Sequence, residues 1–426
     1  MGAVNDLLRG VALPPMARVR QKFPTEHLAD PAAALRRELA RTAIRDRVRP
    51  GMSVAVTAGS RGLDAFVPLL RTLIGGLRDM GAEPFVVPAM GSHGGATAAG
   101  QAALLAGYGI TEETVGAPIR SSMEVVRAAE SPDGEPVWVD RLAWEADGIV
   151  LFNRVKPHTG FRGDYESGLV KMAAVGLGKQ RGAETVHAGG PAAMAGRVRD
   201  FGTAAIRRAR VLFGVATVEN GYDRVHTVRV LTPDEIFREE PVLLERAKAL
   251  MPRLLFERLD VLVVDRIGKN ISGPGMDPNI THTYLPGAAI PDSLRAKRAG
   301  RVAVLDLTEE THGAAMGIGM ADVTTRRVLE KMDFDATYPN CLTSGVTVSA
   351  KLPMVFDSDR LALQAAVQTL AGADRDGLRM VRIRDTLHLG EIWVSEALLP
   401  EAAACRQAEV LTPAEPLPFD GAGNLF

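Results

Sequence analysis

The stretch SVAVTAGSRG, residues 53–62, is the first strong indication of the fold class, because a short β-branched run ends there in a polar, glycine-rich loop. Apolar residues then recur at helical spacing from Leu63 to Met80, and FVVP at 85–88 is a second strand-length run. The loop GSHGG at 91–95 follows, before another helical stretch. The order of strand, glycine loop, helix and strand is a βαβ unit, which predicts a parallel sheet.

The same pattern recurs, with further strand-like runs beginning at Gly148, Val211, Asp260 and Val302. A chain of 426 residues is also long for a single core. We therefore expect an α/β protein with two domains and largely parallel sheets.

We place the domain boundary after the helical stretch 244–255. Residues 1–255 then form the first domain, and residues 256–426 form a second α/β domain, with the candidate site expected in the cleft that the second domain closes. The weakly patterned residues 1–45 are expected to pack on the first domain, whereas 380–398 fits either domain.

Bulk composition excludes several classes of function. The formal net charge is −1 and the pI is near 6.7, so no overall field attracts nucleic acid or an anionic membrane. No apolar run approaches the ~20 residues of a membrane span, and no signal-peptide pattern is present. Two distant cysteines, Cys341 and Cys405, predict neither a disulfide framework nor a thiolate metal site. We expect a soluble, cytoplasmic protein.

In parallel sheets, functional side chains collect on loops after the carboxyl ends of strands. This rule singles out four loops, at 58–62, 91–97, 153–190 and 266–282. The histidines His93, His158 and His187 lie on those of the first domain. A single loop histidine is usually structural, but three at one sheet edge indicate a site.

The polar stretch NRVKPHTGFRGDYESGLVK, residues 153–171, ends in Lys171 among apolar neighbours. Desolvation there would lower the pKa of the amine and make it a nucleophile. A lysine whose stem alone is buried fits the same pattern. His187 lies sixteen positions further on, and spacing alone does not predict a metal at one histidine.

The loop 58–62 precedes a helix, where backbone N–H groups and the Arg61 guanidinium suit a phosphate or carboxylate. No Walker or dinucleotide fingerprint is present, since GLGKQRG at 176–182 lacks the spacing. Hydrolase and zincin motifs are also missing. In the second domain, Lys269 and Ser272 follow a strand and are candidates for the same cleft, and His312 is a lesser candidate.

Together these loops resemble the nickel-pincer-nucleotide-dependent isomerases, a lactate racemase-like family. The matching residues are GSH at 91–93, Pro157-His158, GFRG at 160–163, Lys171, His187 and, in the first loop, Arg61. The resemblance covers residues 50–190 and, more loosely, the second domain.

The resemblance implies a racemase or epimerase that inverts C2 of a 2-hydroxy acid by reversible, proton-coupled hydride transfer. The implied cofactor is a nickel-pincer nucleotide, a pyridinium-3,5-bisthiocarboxylic acid mononucleotide carrying nickel. Lys171 would hold it covalently, and His187 would be the protein ligand to the metal. A small-molecule acid and cofactor-assembly proteins are the implied partners; the oligomeric state stays open.

The resemblance also assigns the other site residues. His93 and His158 would be the catalytic bases. Ser60 and Arg61 would contact the cofactor, while Arg61 and Lys269 would bind the substrate carboxylate.

Two departures from the family concern the substrate. The family has an acidic residue in the first loop, where this chain has AGSR at 58–61. The stretch from His158 to Lys171 is longer, with Asp164 and Glu166 in the added part. We expect a larger or more hydroxylated acid than lactate, such as a sugar acid, whose hydroxyls Asp164 or Glu166 would bind.

Two other functions fit the residues alone. One is a metal-assisted lyase or aldolase that uses Lys171 as a Schiff-base amine. The other is a non-catalytic nucleotide- or phosphate-binding protein in which Lys171 acts only through its charge.

Overall fold

The computed structural model describes residues 2–372, 374–375 and 377–426, apart from the side chain of Thr343. The chain divides into two compact units, Pro24–Met251 and Met1–Phe23 with Pro252–Phe426. Each combines a mainly parallel sheet with helices, so the prediction of two α/β domains is confirmed. Within the described ranges, no helix is both long enough and apolar enough to span a membrane.

The described strands are β1 (Met16–Gln21), β2 (Ser53–Ala58), β3 (Glu83–Pro88), β4 (Val125–Glu130), β5 (Pro136–Asp140), β6 (Gly148–Arg154), β7 (Val211–Glu219), β8 (Val225–Leu231), β9 (Val261–Ile267), β10 (Arg301–Leu307), β11 (Val323–Thr325), β12 (Met354–Phe356), β13 (Met380–Ile383), β14 (Glu391–Ser395) and β15 (Ala408–Val410). The described α-helices are α1 (Ala3–Leu8), α2 (Pro31–Leu39), α3 (Thr42–Arg45), α4 (Phe66–Asp79), α5 (Ala98–Gly107), α6 (Glu112–Val115), α7 (Arg141–Glu145), α8 (Leu169–Lys171), α9 (Lys179–His187), α10 (Gly190–Arg208), α11 (Pro233–Leu250), α12 (Pro278–Thr281), α13 (Asp292–Arg295), α14 (Arg326–Lys331), α15 (Phe334–Ser344), α16 (Asp359–Gln368) and α17 (Leu399–Ala404).

The unit Pro24–Met251 is built on a five-stranded sheet in the order β3-β2-β6-β7-β8. The first four strands are parallel, and β8 pairs antiparallel with β7. Strand β2 is buried from its second residue to its last, as expected where helices cover both faces of a parallel sheet. Helix α4 buries the predicted apolar stripe: Phe66, Leu69, Leu70, Leu73, Ile74 and Leu77.

The second unit holds an eight-stranded sheet in the order β12-β11-β10-β9-β13-β14-β1-β15. Strand β1 pairs antiparallel with β14 and β15, so residues 1–23 belong to this unit and not to the first domain, where we expected them. Residues 24–45 do belong to the first domain. The segment 380–398 supplies β13 and β14 to the same sheet. The division between the units falls between Met251 and Pro252.

The chain between β6 and β7 differs most from expectation. The sequence predicts one long loop over 153–190, but residues 169–187 form α8, a π-helical turn at Met172–Gly176 and α9. The glycines there serve close packing: a Cβ at Gly176 would lie 2.6 Å from the Ala89 carbonyl oxygen. His187 is therefore a helix residue.

Candidate active site

The site lies at the carboxyl edge of three adjacent parallel strands, β3, β2 and β6. Ser60 and Arg61 follow β2, His93 follows β3, and His158 follows β6. The sequence rule about strand ends thus places all three loops on one edge of the sheet.

A buried carboxylate holds the loop that carries His158. Glu166 accepts the backbone N–H of His158 at 2.7 Å and lies 3.3 Å from an Arg162 nitrogen. Its other oxygen lies 3.1 Å from the Lys248 ammonium, and the Glu166 side chain is completely buried. The Glu166 side chain is completely buried beside two cations, and this burial disfavours the expected binding of substrate hydroxyls by Glu166.

The backbone fixes the tautomer of His158. The N–H of Gly160 donates to His158 Nδ1 at 3.0 Å, so the neutral ring carries its proton on Nε2. The ring stacks on Phe161, with centroids 4.2 Å apart. Burial lowers the pKa of His158 well below its usual value, and the nearby charge of Lys171 lowers it further. At neutral pH this imidazole is uncharged.

Lys171 ends the one-turn helix α8 and is half-buried. Desolvation lowers its pKa to about 7, and the positive charges of Lys156 and Arg61 add to the effect. Glu166 opposes the shift but does not cancel it. The Nζ atom lies 6.0 Å from the Phe161 ring centroid. Lys171 is thus an amine that is substantially neutral at physiological pH.

A second buried carboxyl group binds the backbone of α8, the helix that carries Lys171. Glu240, on α11, accepts the backbone N–H groups of Leu169 and Val170 at 3.0 and 3.1 Å. Burial raises the pKa of Glu240 to about 8, and the two N–H donors only partly offset that rise. Glu240 therefore fixes the start of the helix that presents Lys171.

His187 is the last residue of α9; the residue is exposed overall, but its ring forms a partly buried hydrogen bond. Its Nδ1 lies 2.6 Å from the Ala183 carbonyl oxygen, which can only accept, so Nδ1 carries the proton. The lone pair is then on Nε2, the arrangement typical of a histidine that ligates a metal. Desolvation by surrounding atoms and the charge of Lys171 lower the pKa of His187, against the Ala183 hydrogen bond.

His93 has the same tautomer as His187. Its Nδ1 lies 2.8 Å from the Met90 carbonyl oxygen, so the neutral ring presents a lone pair on Nε2. The Gly91 N–H donates to the Gly176 carbonyl at 3.2 Å, which ties this loop to the π-helical turn that follows Lys171. His93 and His158 therefore offer opposite hydrogen-bonding groups.

The Ser60–Arg61 loop contributes positive charge. Arg61 is exposed and close enough to Lys171 to lower its pKa, and the Ser60 carbonyl accepts the Tyr108 hydroxyl at 3.1 Å. Helix α4 begins at Phe66, so three residues separate Gly62 from the helix start that we expected to bind an anion. Side-chain charge, from Arg61 and Lys156, is what favours an anion here.

Lys269 and His312 belong to the second unit. The backbone N–H of Lys269 donates to Thr311 Oγ1 at 3.0 Å, which places the loops after β9 and β10 side by side. His312 is exposed and has a φ of 48° at the end of a short helical turn. The role of Lys269 as a carboxylate ligand stays a prediction.

Lys156 and Glu240 were not singled out from the sequence. Lys156 lies two positions before His158, and its positive charge lowers the pKa of both His158 and Lys171. Glu240 had a detectable signal, because it interrupts the buried stripe of Ile236, Leu243 and Leu244 on α11. A carboxylate on the apolar face of a helix indicates a buried polar contact.

Comparison with known proteins assigns no family, since no family model and no curated protein matches the chain. Among solved structures, the lactate racemase apoprotein from Thermoanaerobacterium thermosaccharolyticum aligns at 12% identity and a TM-score of 0.47, covering 81% of this chain and 99% of that one. A protein from Thermotoga maritima aligns at 14% identity and a TM-score of 0.47, covering 67% and 71%. Similarity at this level assigns no activity.

Proposed function

We propose that this chain is an isomerase, a racemase or epimerase that inverts C2 of a 2-hydroxy acid. The observation that carries the proposal is Lys171, a half-buried amine with a pKa lowered to about 7 beside His158 and His187. A neutral amine at physiological pH is the nucleophile that covalent attachment of a cofactor requires.

The residues fit the nickel-pincer nucleotide that the sequence resemblance implies. Lys171 has the amine for the covalent link, and His187 has an Nε2 lone pair for the metal. Ser60 and Arg61 are proposed to bind the nucleotide phosphate. In the described residues no three His, Cys, Asp or Glu side chains cluster to hold a metal ion. A metal at His187 would therefore take its other ligands from the cofactor.

When bound, this cofactor would supply the acceptor for the hydride at C2. His93 is suited to accept the hydroxyl proton at Nε2, because its Nδ1–H is committed to Met90. His158 is suited to donate from Nε2–H to the same substrate oxygen and stabilise the charge that develops there. Loss of the hydroxyl proton and of the C2 hydride leaves a 2-keto acid. After this keto acid presents its other face, His93 returns the proton to the substrate oxygen as the hydride returns to C2.

This division of labour refines the expectation of two equivalent bases. A neutral imidazole whose Nδ1 accepts from the backbone cannot take a proton on Nε2 without changing tautomer. His158 therefore acts as a hydrogen-bond donor, and one base, His93, serves both directions of the reaction.

The charges around the site favour an acidic substrate. Arg61, Lys156 and Lys171 lie together, with Glu166 already paired. We propose that Arg61 binds the substrate carboxylate, and the same role for Lys269 stays a separate prediction. Asp164 is exposed and stays a candidate for the hydroxyls of a sugar acid.

The test is inversion of a panel of 2-hydroxy and sugar acids in D2O, followed by NMR. We expect inversion of a sugar acid with the original hydrogen retained at C2, because hydride returns to the carbon from which it left. Deuterium at C2 would show proton abstraction and contradict the mechanism. Turnover of lactate alone would reject the proposed substrate class.

The lowered pKa of Lys171 also suits a Schiff-base lyase or aldolase. Borohydride reduction in the presence of 2-keto acids distinguishes the two. A trapped adduct on Lys171, absent from Lys171→Met, together with C–C bond cleavage would favour the lyase.

A further inference from the structure

Lys179, at the start of α9, has a completely buried side chain. Its ammonium group donates to the Pro88 carbonyl and to Gln101 Oε1 at 3.2 Å, and it forms an ion pair with Asp140 Oδ2 at 2.9 Å. The backbone of Lys179 has a φ of 53°, the left-handed region that a lysine rarely adopts. A buried charge and an unusual conformation coincide at one residue.

Asp140 is fixed independently of this lysine. Its Oδ1 accepts the N–H of Ala143 at 3.0 Å as the cap of α7, and its own N–H donates to the Leu177 carbonyl at 2.7 Å. The Asp140 carboxylate is therefore held by contacts that do not involve the Lys179 side chain.

Gln101 links the Lys179 ammonium to the His93 loop by hydrogen bonds. While its Oε1 accepts from Lys179, its Nε2 donates to the Gly91 carbonyl at 2.8 Å and the His93 carbonyl at 3.2 Å. The Gln101 side chain is completely buried. The Met90 carbonyl, just before these groups, receives both the N–H and the Nδ1–H of His93.

We propose that Lys179 is a positioning residue: through Gln101 it holds the turn that orients the His93 imidazole, and joins that turn to the helix carrying His187. Lys179 contacts β3 through Pro88 and the His93 loop through Gln101. It is also the first residue of α9, the helix that ends in His187. One buried cation thus sets the relative place of two proposed site histidines. The contacts do not depend on the reaction, but their effect on turnover rests on the proposed function.

An ion pair that served stability alone would be a poor choice here. Desolvation of two buried charges costs about as much as their attraction returns, and apolar residues often replace such pairs without loss. The pair adds directed hydrogen bonds, which an apolar contact lacks. Desolvation lowers the pKa of Lys179, while Asp140 favours its charged form.

The decisive variant is Gln101→Glu. The carboxylate can still accept from the Lys179 ammonium but cannot donate to the Gly91 and His93 carbonyls. A Lys179→Met/Asp140→Asn double variant removes both charges together, so that no unpaired buried charge destabilises the fold. The matched control is Gln180→Glu, at an exposed glutamine of α9, the helix that begins at Lys179.

The readout is the ¹⁵N NMR spectrum of the histidine side chains in protein without cofactor, with His93 assigned by His93→Gln. We expect wild type and the control to show His93 as the Nδ1–H tautomer. In Gln101→Glu and the double variant we expect a mixture of tautomers and a roughly tenfold or larger loss of amide-exchange protection at His93. An unchanged His93 signal in either folded variant would overturn the proposal.

The second test measures isomerase activity in protein that carries the cofactor. We expect kcat to fall about a hundredfold with little change in KM, since a misplaced base slows proton transfer without weakening binding. A changed His93 tautomer in a protein without isomerase activity would leave the positioning role intact and reject the proposed function instead.

Discussion

The most direct consequence of the site's electrostatics is the reactivity of Lys171. Its pKa is lowered from 10.5 to about 7 by desolvation first and by Lys156 and Arg61 next. At pH 7 the neutral fraction of a lysine therefore rises from roughly one in three thousand to about one half. An amine-selective reagent at low dose should modify Lys171 about a hundredfold or more faster than the exposed Lys351.

The perturbation is Lys156→Met, which removes the largest charge contribution to this shift. Because one nearby positive charge is lost, the pKa of Lys171 should rise by about half a unit to one unit and labelling at pH 7 should slow accordingly. Lys22→Met, at an exposed lysine that is not among the charges shifting Lys171, is the matched control and should leave the pKa of Lys171 unchanged.

Competitive labelling across pH 5–11, read residue by residue by mass spectrometry, measures both effects in protein without cofactor. A wild-type Lys171 whose labelling rises only near pH 10.5, the ordinary pKa of a lysine, would refute the account of desolvation. A shift of equal size in Lys22→Met would show that the effect is not local.

Three further predictions concern single residues. Because burial raises the pKa of Glu240 to about 8, the native protein keeps a proton that the unfolded chain loses above about pH 4.5. The free energy of unfolding should therefore fall by up to about 1.4 kcal/mol per pH unit between pH 5 and 8. Urea titrations should show this loss in wild type and not in Glu240→Gln. His93→Gln should lower kcat roughly 10²–10⁴-fold, whereas His158→Gln keeps an N–H donor and should lose less; equal losses would contradict their different roles. Lys269→Met should raise KM for the acid about tenfold with kcat little changed, and an unaltered KM would remove Lys269 from the site.

The sequence predicted the sheet edge well because its signals are local. The β-branched run of β2, the stripe on α4 and the glycine loops each lie within a short window. The parallel-strand rule then brings Arg61, His93 and His158 to one edge without any long-range information.

The segment after His158 was harder to predict, because glycine has two meanings. Gly176 and Gly178 are typical of a loop, yet in the fold they let helical turns approach Ala89 and Gly182 closely. Whether a glycine marks a turn or a close contact depends on the packing partner, which lies far away in sequence.

The electrostatic neighbours of the site also depend on packing. Glu240 and Lys248 reach the loop around His158 and Lys171 from α11, which follows two further strands in the chain. Similarly, β1 joins the second unit because it pairs with β14 and β15. No motif of fixed spacing in the sequence predicts either the contacts from α11 or the pairing of β1.

The proposed attachment of a nickel-bearing nucleotide to Lys171 can be tested by measuring the intact mass and the nickel content of the protein. The protein is produced beside the cofactor-assembly proteins, in cells that load a lactate racemase made as a positive control. We predict a covalent adduct and about one nickel per chain in wild type, no adduct in Lys171→Ala, and an adduct with reduced nickel in His187→Ala. An unmodified mass and no nickel in wild type, while the control protein is loaded, would contradict the account.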